Sequence, residues 1–293
     1  MLAYNHAPFI AEALESVLMQ EVDFEYNIVI GEDFSTDSTR SVLVGYKSKY
    51  PDKICLILHD HNVGMHKNFE AVLTACEGEY IAVLEGDDYW TCKRKLQKQV
   101  DLMDSNPAVS ECFHKVRTIY QEGNKEPHEY PSGLTKAAFN LYDVLRHHFI
   151  PTLSMLFRKT AVAQLPDAFH RMTNPDWMMH VMCAEAGKIA FINEVMGVYR
   201  VHSGGIWSAT KTVLVLENTI KSAHVINQYL NYRYDSLLIR RIANWHLEAG
   251  ILYVKDLAIP SAIRHLSRCM RWTVGLIFSK YGKRACSSPE ELR

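Results

Sequence analysis

The chain has 293 residues, 48% of them hydrophobic and 22% charged, enough to bury a full core in one large domain or two smaller ones. Its formal net charge of -1 excludes a dominant nucleic-acid surface, which needs clustered Lys and Arg. The seven cysteines form no CxxC pair and no zinc-like spacing, and their odd number suits a reducing compartment.

In chain order, APFIAEALESVLMQ reads as an amphipathic helix with Pro8 near its start and Ile10, Leu14, Val17 and Leu18 on one face. YNIVIGED is a buried strand with a polar end, and STDSTRSVLVGYKSKY a helix stopped by Pro51. KICLILHD is a second strand, HKNFEAVLTACEG a helix closed by Gly78, EYIAVLEGDD a third strand, and KRKLQKQVDLMDSNP a further helix. The chain opens almost directly into its first helix, so the first strand is expected to be shortened. Beyond Pro107, VSECFHKVRTIY reads as a strand, EGNK as a turn, LTKAAFNLYDVLRHH as a helix and PTLSMLFRK as a strand. DWMMHVMCAEAGK is a helix ended by Gly187, IAFINEVMGVYRVH a pair of short strands around Gly197, and the chain from Trp207 onward is helical. Strands alternating with helices imply an α/β fold with a mainly parallel central sheet, whose ligands sit beyond the carboxyl ends of the strands. Those ends are GED, HDHN and EGDD, all polar and two of them acidic.

Two adjacent carboxylates, Asp87 and Asp88, cost free energy unless a cation or a hydroxyl-rich ligand meets them; the alternative is that they cap the next helix. Neighbouring side chains in extended chain point to opposite faces, which would divide their roles.

The segments AYNHAPFI, GEDFSTDST, NVGMHKN, EGDDYW, PDW and YRVHSGG, in this order and spacing, resemble a family 2 glycosyltransferase of the GT-A fold. The resemblance implies inverting transfer of a sugar from a nucleotide-diphosphate donor, chiefly a UDP-sugar, to an acceptor hydroxyl. It also implies a divalent cation, Mn or Mg, on the diphosphate. By resemblance Tyr4 stacks on the base, Asp33 accepts a hydrogen bond from it, Asp87 lies on the ribose side, and Asp88 and His202 lie at the metal or diphosphate. Asp176 matches the acidic position that serves as catalytic base; its plain reading is an N-cap of its helix, and the two roles do not exclude each other. Trp177 is a candidate sugar-stacking face or a core residue, Arg200 a candidate phosphate contact or a surface strand residue, and Trp90 a further candidate sugar contact. Glu32 and Asp37 read as turn and cap residues, and Leu2 stands where the family often has Thr or Pro. His59 and His61 read as a strand-end polar cluster rather than metal ligands. RCMRW differs from the QxxRW signature of processive synthases, with Arg268 at the glutamine position.

The implied division is a GT-A domain over 1–206, with a nucleotide half (1–106) and an acceptor half (107–206), and a helical extension over 207–293. MLAYNHAPF lacks a signal-peptide pattern and no apolar run reaches bilayer length, so the expected location is the cytoplasm, at the inner face of the cell membrane if the basic, aromatic stretch 264–284 touches lipid. The implied acceptor is a saccharide or lipid-linked saccharide of surface polysaccharide, lipopolysaccharide or capsule assembly. Two rivals remain: a nucleotidyltransferase, which would want a Gly-rich basic loop near the start, and a non-catalytic sugar-nucleotide-binding scaffold.

Overall fold

The computed structural model describes residues 1–205 and 210–279, with side chains to residue 273. It divides into two compact units, one of Met1–Val144, His148–Leu165 and Met179–Ser203, the other of Leu145–His147, Pro166–Met178 and the chain from Gly204 onward. Asp176 and Trp177, placed by the sequence reading in the 1–206 domain, therefore belong with the C-terminal helices.

In the first unit, β1 (Leu2–Ala3), β2 (Ile28–Glu32) and β3 (Ile54–Leu58) form a parallel sheet in that order, with Leu2 level with Gly31 and Gly31 level with Ile57. The crossover helices are α1 (Ile10–Leu18) and α2 (Thr39–Lys49). Helix α1 buries Ile10, Ala13, Leu14 and Val17, an i, i+3, i+4, i+7 face. Asp37 accepts from the Thr39 N–H at 2.9 Å just ahead of α2, whose N-cap is Ser38. Helix α3 (Met65–Ala75) follows, and its Asn68 donates to the Gly31 carbonyl at 3.0 Å.

The expected third parallel strand behaves differently. Only Tyr80–Ala82 forms a strand, β4, while Leu2 bridges Glu85 in parallel, so the chain leaves one sheet and runs beside β1. The later elements are β5 (Tyr89–Trp90), α4 (Lys95–Asp104), β6 (Val109–Tyr120), β7 (His128–Tyr130) and β8 (Ala138–Phe139). Then come α5 (Leu141–Arg146), β9 (Leu156–Arg158), α6 (Asp167–His170), α7 (Pro175–Ala186) and β10 (Lys188–Val201). The second sheet runs β4-β9-β6-β10-β5, with β7 on β6 and β8 on β10, and only β6–β10 is parallel. The mainly parallel pattern is thus confined to the first sheet and the β6–β10 pair.

Two element expectations are corrected. The helix expected over LTKAAFNLYDVLRHH shrinks to α5, because Asn140 and Asp143 exchange backbone-to-side-chain hydrogen bonds at 3.2 Å and start the helix there. The two strands expected around Gly197 are one continuous strand, β10, bent by register shifts between Ile192 and Gly197. Gly197 lies opposite Trp90 inside this strand, where a Cβ would come within 2.8 Å of Leu153 Cδ1.

The second unit is helical: it includes α6 and the start of α7, then α8 (Thr212–Tyr229), α9 (Asp235–Lys255) and α10 (Ile259–Ser279), with α8 and α10 each packed on α9. Trp177 is fully buried and meets the Trp245 ring edge-on at 6.1 Å. Trp207, Lys280, Lys283 and Arg284 lie outside the described residues. No helix among the described residues is long and apolar enough to cross a membrane.

Candidate functional site

Parallel pairing brings the carboxyl ends of β1, β2 and β3 to one edge, and the Leu2–Glu85 bridge adds the EGDD segment to it. Tyr4, Asp33, His59 and Asp87 therefore stand in a row at the carboxyl edge. The loops there are bound to one another. Asn5 donates to Ser35 Oγ at 3.0 Å and accepts from the Thr36 N–H at 2.8 Å, His6 N–H donates to Thr39 Oγ1, and Ala7 N–H donates to Asp37.

Asp87 is the focus of this edge. His202 Nε2 lies 3.1 Å from its Oδ2, and His6 Nε2 lies 3.7 Å from the same oxygen. Burial works to raise the Asp87 carboxyl, but the His202 hydrogen bond and the His6 charge outweigh it and hold it below the usual carboxylate range. Burial in turn pushes His6 down. Gly86 makes room for this arrangement: a Cβ there would come within 2.8 Å of His6 Nδ1 and 2.7 Å of Ile10 Cδ1.

Asp88 faces the other way. It is 2% exposed, accepts the Arg200 backbone N–H at 2.8 Å, and is pushed well above its ordinary range by burial first and by the charges of Asp87 and Glu85. The two aspartates thus divide between two faces, and His202 meets Asp87. Of the two residues expected at the metal or diphosphate, His202 bonds Asp87, at the turn after Gly86, and Asp88 accepts the Arg200 N–H. Asp87 supplies a carboxylate oxygen, the donor type suited to Mn or Mg, and His202 an imidazole nitrogen, the donor type more usual for Zn, Cu, Fe or Ni.

Arg200 is 5% exposed and occupied internally. Its guanidinium donates to the Asp87 carbonyl at 2.6 Å, pairs with Glu12, and lies 4.3 Å from the Tyr89 ring centroid. It clamps α1 to the EGDD segment rather than reaching a phosphate. Trp90 is 3% exposed, its indole N–H donates to the Leu153 carbonyl at 2.9 Å, and the Lys95 ammonium lies over its ring. With Trp177 also in the core, neither tryptophan offers a face to a sugar.

Asp33 is buried, and its oxygens accept the Val63 and Gly64 N–H groups at 2.7 and 3.0 Å, fixing the loop after β3. Tyr4 is exposed at the same edge. Glu32 takes the Ser35 N–H and Arg40, the turn role read for it. Asp176 lies in the first turn of α7, after Pro175, and accepts the Trp177 N–H at 2.9 Å.

Sequence reading missed His6, the Glu12–Arg200 clamp, buried Lys95 and the buried Glu111–His180 pair at 2.7 Å. His6, the Glu12–Arg200 clamp and the Glu111–His180 pair each depend on a partner distant in the chain, whereas Lys95 is buried against the nearby Trp90 ring. Only His6, beside the singled-out Tyr4, carried a local signal.

A parallel sheet ending in an acidic, histidine-flanked edge, followed by a mixed sheet, defines a GT-A-type α/β protein. Solved structures agree on the fold. Residues 1–349 of S. aureus TarS in complex with UDP-GlcNAc superpose with a TM-score of 0.66 at 19% identity, over 92% of this chain and 79% of that one. The mannosyltransferase PcManGT from Pyrobaculum calidifontis, in complex with GDP-Man and Mn2+, gives a TM-score of 0.56 at 15% identity, over 95% and 86%. The chain belongs to glycosyl transferase family 2, whose family model matches residues 1–162. It is 38% identical over 211 residues to an uncharacterized protein of Mycobacterium tuberculosis, covering 72% of this chain but only 60% of that relative's length. It is also 28% identical over 233 residues to the putative teichuronic acid biosynthesis glycosyltransferase TuaG of Bacillus subtilis, over 76% of this chain and 87% of that protein.

Proposed function

We propose that the protein transfers a sugar, with inversion, from a UDP-sugar to an acceptor hydroxyl in the assembly of a surface polysaccharide, lipopolysaccharide or capsule. The observation that carries the reading is Asp87, outward at the carboxyl edge and flanked by His202 and His6. Membership of family 2, a fold shared with a UDP-GlcNAc complex, and the likeness to TuaG support it.

Asp87 and His202 would hold a divalent cation, Mn or Mg, with Asp88 supporting that edge from its buried face. When bound, the cation neutralises charge developing on the leaving diphosphate. Tyr4 stacks on the base and Asp33 shapes the loop around it. Asp176 takes the proton of the acceptor hydroxyl as its oxygen bonds to the anomeric carbon, while the bond from that carbon to the diphosphate oxygen breaks. Replacing Asp176 by Asn should abolish transfer and leave donor affinity unchanged. Retained turnover would remove Asp176 as the base.

The acceptor is a saccharide or lipid-linked saccharide, reached at the inner face of the cell membrane. Helix α10 exposes Ile259, Ile263 and Met270 beside Arg264, Arg268 and Arg271, an apolar stripe with a basic flank suited to an anionic bilayer. Co-sedimentation with phosphatidylglycerol vesicles should fall when Ile263 and Met270 become Ser. Equal sedimentation of both proteins would dismiss lipid contact.

A further inference from the structure

We infer that Phe34 is a second stacking wall for the nucleobase of the donor, a contact that rests on the nucleotide reading above and adds to it. Phe34 follows Asp33 at the end of β2 and has a φ of 60°, in the left-handed region. A side chain there crowds its own backbone, so glycine or asparagine is the ordinary occupant. Asn5, at φ 55° on the facing loop, is such a residue; a phenylalanine is not.

Core packing does not account for the ring, because Phe34 is 44% exposed. Its one described cation contact, Arg40 at 5.3 Å from the ring centroid, does not require it either. Arg40 is already fixed by Glu32 and by the His59 carbonyl, each at 2.5 Å. The backbone on both sides is held: Ser35 N–H donates to Glu32, Thr36 N–H to Asn5, and Asp33 N–H to the Ala3 carbonyl. A strained conformation that its surroundings enforce, at the edge of a site, points to a ligand contact.

The ligand chemistry follows from the neighbour. Ala3 is level with Glu32, so Tyr4 and Phe34 are displayed from the ends of adjacent parallel strands, 43% and 44% exposed. Two exposed rings beside one edge, with the backbone of Phe34 held on both sides, suit a flat aromatic heterocycle, and stacking serves uracil and guanine alike.

Calorimetric titration of the full chain with UDP, GDP and inorganic pyrophosphate, each with Mn2+, tests the inference. Phe34→Gly, which relieves the left-handed strain, should weaken UDP and GDP by about tenfold. It should leave pyrophosphate affinity and Tm essentially unchanged. Phe34→Leu, with bulk but no aromatic face, should lose the same affinity, and Phe34→Tyr should keep it. Wild-type affinity for UDP in Phe34→Gly overturns this inference alone. So does an equal loss for pyrophosphate, which would mark a purely structural role. A wild-type protein that binds neither nucleotide overturns the donor reading and this inference with it.

Discussion

Replacing Lys95 by Met should make the protein more stable, and the structure sets the size of the gain. Lys95 is fully buried on α4, and its Nζ has no hydrogen-bond partner among the described residues. Burial lowers the ammonium from 10.5 to about 7. That shift corresponds to roughly 5 kcal/mol of destabilisation when both states are protonated. The Trp90 ring, with its centroid 3.7 Å from Nζ, returns part of this through a cation–π contact worth about 2 kcal/mol. Methionine matches the lysine stem in volume, so the net gain is about 3 kcal/mol near pH 6. The sign of the pH dependence follows from proton counting. The cation–π contact favours the ammonium and narrows the titration from below, but from above about 7 up to 10.5 the unfolded chain holds a proton that native Lys95 loses, so wild-type stability rises with pH there. The variant lacks this rise, and the two proteins should converge at the upper end. Urea denaturation of both proteins from pH 6 to pH 10 reads the difference directly. A variant less stable than wild type at pH 6, or a difference that does not change with pH, would refute the reasoning.

Gly86→Ala should destabilise the protein by about 2 kcal/mol by overpacking. Its Cβ would press on Ile10 and His6, so Mn2+-dependent UDP affinity should fall together with Tm. In the C-terminal helices, His246 Nδ1 lies 3.0 Å from His265 Nδ1, and burial first, then the His265 charge, lowers His246 to about 3. As pH falls from the ordinary histidine value of 6.5 toward 3, the unfolded chain takes a proton that native His246 refuses, and stability drops. His246→Phe should make that acid limb shallower in a circular-dichroism titration, the rest being carried by His114, which burial also lowers to about 3; an unchanged limb would show that His246 does not contribute.

Much of the nucleotide half was legible in the sequence because its elements are local. The α1 face, the β2 and β3 runs and the polar strand ends are periodic patterns that tertiary contacts reinforce. The EGDD edge was legible as a place but not as a geometry. Which aspartate turns outward depends on the bend at Gly86 and on histidines at positions 6 and 202, a separation no local pattern encodes. Trp90 and Arg200 misled for the same reason. Aromatic and basic residues near a ligand edge look like contacts until Leu153, Glu12 and the Asp87 carbonyl are seen to occupy them. The second sheet escaped reading because strand direction is set by long-range pairing. EYIAVLEGDD is a single apolar run, yet its first part pairs antiparallel with β9 and its last part runs parallel to β1.

The central claim is that Asp87, with His202, holds a divalent cation against a sugar-nucleotide diphosphate. Calorimetry of UDP binding with Mn2+ and with EDTA, on wild type and Asp87→Asn, tests it most directly. Tight binding only with Mn2+, abolished by the substitution in a protein that keeps its fold by circular dichroism, is the expected result. UDP affinity independent of the metal, or untouched by loss of the Asp87 charge, would contradict it.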